Sequence, residues 1–192
     1  MKANTLAFSL ILAAALWRIF CATHSALSNV APITALAFCA AAYNRDRRFW
    51  LIPFTALALS DLWLNHYYSA HFGYSMTAPE ILVRAASVAT ALVVGYIVAS
   101  KRNVTTLLAG SLGSSLLFYL TTNTASWFND IYYSHTIQGW WQALTIGRPE
   151  YPPTLWFFRN TLFGDLAFTC LFVFAEALVA TKQSAISNKV AP

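Results

Sequence analysis

Apolar residues in this chain run in long blocks separated by short polar breaks. The blocks lie at 4–23, 29–43, 49–67, 81–99, 104–123 and 159–181. Most have, or come close to, the roughly 20 residues that a helix needs to cross a hydrocarbon core. The apolar–polar alternation of a membrane β-barrel strand is missing. Helices are the other structure that pairs every backbone group in lipid. The pattern therefore predicts an all-α fold: an integral membrane bundle of six transmembrane helices, one domain over residues 1–183, with a disordered cytoplasmic tail at 184–192. The second block is short, rich in alanine and opens near Pro32. The first resembles a signal peptide, but Arg18 interrupts it and no small-residue cleavage site follows, so it is read as a retained span.

Within the last block, Thr161, Asp165, Thr169 and Glu176 fall within about 80° of one another at 100° per residue. A carboxylate facing hydrocarbon costs several kcal/mol, so this stripe is expected to face protein or a wet cavity.

Composition agrees with the block pattern. Only 10% of the residues are charged, where a soluble domain carries about 25%. The net charge of +5 does not point to nucleic acid, because the cations sit in short clusters beside apolar blocks. Such clusters set topology. With a cytoplasmic N-terminus, the inside segments hold Lys2, Arg45, Arg47, Arg48, Lys101, Arg102, Lys182 and Lys189, and the outside ones hold Arg84, Arg148 and Arg159. Both termini are therefore expected inside. Cys21, Cys39 and Cys170 show no CxxC spacing and are read as buried thiols. His66 and His71 match no ligand pattern, and no metal or cofactor is expected.

The connection at 124–158 is long for a structureless loop and carries Trp127, Phe128, Tyr132, Tyr133, Trp140, Trp141, Tyr151, Trp156, Phe157 and Phe158. It reads as an aromatic belt at the outer membrane surface, with a short interfacial helix, or as a lid over a pocket. One loop can do both.

Depth along each span follows from about 1.5 Å per residue. Arg18 falls about 21 Å up its span and Asp61 about 18 Å up, with Asn65 one turn further on the same face. Asn29 opens the second span from outside, and Asn123 ends the fifth above Ser111, Ser115 and Tyr119. Asn160 and Asp165 enter the last span from that side. These groups share one level, which predicts an outward-facing polar pocket for a small molecule. Asp61, Asn65, Asn123, Asn160 and Asp165 would supply hydrogen bonds, and Arg18 would be a counter-ion or an anion ligand. Trp127, Trp140 and Trp141 would stack on an aromatic ligand. The alternative is a structural ion pair of Arg18 with Asp61 or Asp165. Close helix approach is marked by Ala109/Gly113 and Gly110/Ser114 and by the alanines of the second span.

NVAPITALAFCAAAY, ALALSDLWL, TTNTASWF and FFRNTLFGDLAF together resemble a bacterial family of six-span proteins described as transport proteins. That family is in turn similar to the substrate-binding S components of energy-coupling-factor (ECF) vitamin transporters. The likeness covers roughly residues 15–175, and Asn29, Asp61, Asn123, Asn160 and Asp165 match its motifs. It implies a multi-pass protein of the bacterial plasma membrane that captures a vitamin or vitamin precursor. It also implies a partnership with a transmembrane subunit and ATPases. This sequence has no G-x-x-x-x-G-K-[ST] loop, since GSLGSS at 110–115 lacks the lysine, so energy for uphill transport would come from partners or an ion gradient. The alanines of the N-terminal spans, Ala35 and Ala41 among them, would be the docking surface.

Two other classes compete. A non-catalytic accessory or scaffold subunit of a larger complex would use the aromatic loop as an interface. An intramembrane aspartyl hydrolase would use Asp61 and Asp165 as acid and base. FGD at 163–165 matches part of a G-x-G-D motif, but Leu162 stands in place of its first glycine.

Overall fold

The computed structural model describes residues 3–43 and 46–190. Lys2 and Arg45, counted above among the topology-setting cations, lie outside them. The chain is all-helical: α1 Ala3–Ala22, α2 Ile33–Tyr43, α3 Leu51–Phe72, α4 Ala78–Val98, α5 Val104–Asn129, α6 Ile137–Leu144 and α7 Thr154–Val190. Short 3-10 turns precede α2 and α3. The last helix runs on into the stretch assigned above to the tail.

Local chemistry fixes most boundaries. Asn103 Oδ1 accepts the Thr106 N–H at 2.8 Å to start α5, and the Thr136 hydroxyl does the same for α6 at Gly139. Pro79 stands in the first turn of α4, where no N–H is required. Glu80 folds back there to accept the Thr77 N–H at 2.7 Å. Gly73, with φ of 64°, closes α3 in the left-handed conformation that glycine adopts without strain. Several spans differ from the expected ones at these points. The second helix begins only at Ile33, past Pro32. The third and fifth run on to Phe72 and Asn129.

The short α2 lies at the centre and packs against α3, α4, α5 and α7, while α1 pairs with α3. Phe38 is fully buried in this core. The backbone of α4 meets it at Gly95, where an added methyl would overlap the Phe38 carbonyl, and α5 meets it at Gly110, where a methyl would lie 2.7 Å from the ring. Of the two small-residue stripes on α5, Gly110/Ser114 is therefore the packed one, and a methyl added at Gly113 would meet open space. Ala35 and Ala41, expected on a docking surface, are each only 3% exposed. Ala41 belongs to the bundle's own core, and Ala35 touches the groove between α1, α2 and α7.

Polarity runs inside out. Ser60, Ser87, Ser111, Ser114, Ser115 and Thr169 are buried, whereas Leu82, Ile97, Phe163, Leu171 and Phe174 face outward. Small polar residues between helices under an apolar coat suit a bilayer solvent. Three helices, Ala78–Val98, Val104–Asn129 and Thr154–Val179, are long and apolar enough to cross a membrane. α2, at 11 residues, is about 16 Å long, and the apolar run of the continuous α3 is broken by Ser60, Asp61, Asn65 and His66. Cys21 and Cys39 are buried as expected, but Cys170 faces outward.

Candidate functional site

At the end of the bundle where α1 stops and α2 and α7 begin, the helices diverge around a cavity of about 340 Å³. Residues from six helices line it: Arg18 and Cys21 on α1, Thr34 on α2, Leu57, Leu64 and Tyr68 on α3, Arg84 and Val88 on α4, Phe118 and Thr122 on α5, and Phe157 and Thr161 on α7. Asn29 and Ala31, from the α1–α2 connection, complete the wall.

That connection is pinned from both sides. The Trp17 indole donates to the Val30 carbonyl at 2.8 Å, and Asn160 of α7 donates to the carbonyls of Ala26 and Ser28 at 3.2 and 2.9 Å. Asn29 sits between them at φ 66°, a left-handed turn that asparagine tolerates better than most residues.

One charged cluster serves the cavity. Asp61 Oδ1 takes both Arg18, through Nη2 at 2.6 Å, and Arg84, through Nη1 at 3.2 Å. Arg18 Nη1 also donates to Ser60 Oγ at 2.6 Å. Arg18 and Arg84 line the cavity, and the carboxylate lies behind them. The Arg18–Asp61 pair is therefore present, and Arg84 joins it.

Asp165 belongs elsewhere. It lies one turn beyond Thr161 on α7 and is 1% exposed. Its Oδ1 accepts the Ala35 N–H at 3.2 Å and its Oδ2 accepts the Ser115 hydroxyl at 2.8 Å. Ser111 and Thr169 are hydrogen-bonded at 3.0 Å on the same α5–α7 seam. Among the described residues no hydrogen bond joins Asp61 to Asp165, and Asp165 does not line the cavity. A shared-proton dyad requires two adjacent carboxylates, and these two are held in separate networks. Of the polar stripe on α7, Thr161, Asp165 and Thr169 are buried, and Glu176 is exposed.

The remaining expected site residues are distributed as follows. Asn65 lies off the cavity and accepts the Met76 N–H at 2.7 Å. Asn123 lines a second chamber of about 250 Å³ that adjoins the first through Asn29, Phe118, Thr122, Phe157 and Thr161. Trp127 lies on α5 and donates to the Ser134 carbonyl, and Trp140 on α6 donates to the Thr124 hydroxyl at 2.9 Å. Trp141 is 63% exposed. None of the three tryptophans lines a chamber; Tyr119, Tyr133, Tyr151 and Phe158 line the second one instead.

One arginine stands at the wall of the second chamber. Arg148 reaches Asp130 at 3.2 Å and Glu150 at 3.4 Å and lies over the Tyr132 ring. The charge of Asp130 holds the Arg148 guanidinium above its ordinary pKa, and burial pushes the Tyr133 phenol up. Tyr119 donates to the Leu144 carbonyl and stacks on Phe158, which fixes α6 over the end of α5.

Sequence reasoning missed Arg84 as a site residue. The available signal was a lone arginine in the first third of an apolar helix, a turn after Glu80. No curated protein and no solved structure matches the chain. The model of a family of unknown function, DUF6580, matches residues 1–187, and the chain belongs to that family.

Proposed function

We propose that this protein binds a small solute in the six-helix cavity and serves its uptake across the plasma membrane, in the manner of an ECF S component. The observation that carries this reading is the cavity itself: a hollow of about 340 Å³, within the size range of small-molecule sites, walled by apolar side chains and holding two arginines. In this reading six helices cross the bilayer with both termini in the cytoplasm, and the cavity opens on the opposite face. A transmembrane partner and its ATPases would supply the energy.

A second reading has its own support. An apolar groove between α1, α2 and α7, floored by Ala14 and Ala35 and flanked by Trp17, Phe168 and Leu171, suits a helix of a larger membrane complex. The protein would then be a non-catalytic subunit, and the cavity would carry no cargo.

Native mass spectrometry of gently extracted protein separates the two. Solute capture predicts one bound mass of a few hundred daltons that is lost when Thr161→Trp fills the cavity. Wild-type protein with no bound mass, released only with a protein partner, supports the subunit reading and overturns capture.

A further inference from the structure

Resting on the solute-capture reading, we infer that the solute is a monocarboxylate whose carboxylate docks on Arg84. Two guanidiniums line the cavity and no acidic residue does. Asp61 neutralises one of them from behind, so the cluster keeps one net positive charge. Glu80 and Asp130 face Arg84 only from the adjoining hollow, so within the cavity the wall is positive and complements an anionic solute.

The geometry selects Arg84 as the docking group. Both terminal nitrogens of Arg18 are engaged, by Ser60 and Asp61 at 2.6 Å each. Its side chain is 15% exposed against 28% for Arg84. Arg84 uses only Nη1, toward Asp61 Oδ1 and the Met76 sulfur. Its Nε and Nη2 make no protein hydrogen bond among the described residues, which leaves one edge of the guanidinium for a paired contact. A carboxylate matches that fork with two parallel hydrogen bonds. A phosphate monoester would bring about 1.5 to 2 negative charges and leave the cluster negative.

The rest of the wall describes the body of the solute. Leu57, Leu64, Val88, Phe118 and Phe157 present apolar surface. The Thr122 and Thr161 hydroxyls donate to their own helices, to Phe118 and Phe157 carbonyls. Their oxygens are left as acceptors for N–H or O–H groups of a solute.

The test is equilibrium dialysis with protein in lipid nanodiscs. The probes are benzoate, phenylacetate and indole-3-acetate, each compared with its primary amide and the corresponding amine. At least one acid should bind about tenfold to a hundredfold more tightly than its amide, the range of a charge-assisted hydrogen bond. Arg84→Gln should erase that preference and Arg84→Lys should retain part of it, with a thermal melt confirming that each variant folds. An amide or amine binding as well as its acid overturns the carboxylate inference and leaves solute capture standing. No probe of any charge binding to wild-type protein counts against both.

Discussion

The carboxylate of Asp165, on α7, caps the first turn of α2: its Oδ1 accepts the backbone N–H of Ala35 at 3.2 Å. The first turn of a helix leaves N–H groups without partners, and the chain before Ile33 ends in Pro32. A side chain 130 residues away supplies what a local serine or aspartate otherwise would. The partial positive charge of a helix N-terminus favours a carboxylate there. The central helix is thereby tied to α7, and through Ser115 to α5.

Replacing Asp165 therefore tests the cap. Asp165→Ala should cost about 1–3 kcal/mol, the range for a lost cap or an orphaned buried donor. Asp165→Asn, whose amide oxygen still accepts from Ala35, should cost less. Thermal melts in detergent check both, and two equal losses would contradict the cap.

Packing around Phe38 gives a second prediction. Gly95→Ala forces a methyl onto the Phe38 carbonyl and should destabilise by about 1–3 kcal/mol. Gly113→Ala, whose methyl would meet open space, should be neutral or slightly stabilising, because alanine is the better helix former. The pair compared by melting temperature is its own control.

Asp61 is the shared anion of two cations, which makes the third prediction asymmetric. Asp61→Asn leaves two half-buried guanidiniums without their shared anion and should cost about 1–3 kcal/mol. Adding Arg18→Met should recover part of that loss. A double-mutant cycle measures the coupling, and purely additive losses would contradict it.

The α1–α2 connection supplies a fourth. Asn160→Ala removes both hydrogen bonds to the Ala26 and Ser28 carbonyls and should loosen the turn at Asn29, at a cost of about 1–2 kcal/mol. Faster hydrogen exchange at residues 26–31, with α5 unchanged, is the expected readout.

How far the sequence discloses this arrangement depends on what each cue measures. Block length and the missing alternation identify helices because the backbone in lipid has few other solutions. Counting rise per residue brings Arg18 and Asp61 to one level, and the two side chains do meet at 2.6 Å. The same count places Asp165 near that level but is blind to direction around the bundle. Asp165 turns to α2 and α5, away from Asp61. The aromatic richness of 124–158 is plain, yet which rings face inward depends on α5 running on to Asn129 and on α6 folding over it. Trp127 and Trp140 accordingly brace that fold and Trp141 is exposed, while Phe118 and Phe157 line the cavity. Pairing between distant segments, such as Asp165 with Ala35, leaves no local signature.

The central claim is a solute cavity that opens away from the cytoplasm, and thiol labelling from one side of the membrane tests it most directly. In a background with Cys21, Cys39 and Cys170 replaced, Thr122→Cys is exposed to a membrane-impermeant maleimide in intact cells and in inverted vesicles. Rapid labelling in cells, and none in inverted vesicles, is the predicted result. Labelling only in inverted vesicles, or from neither side until the protein is unfolded, would contradict it.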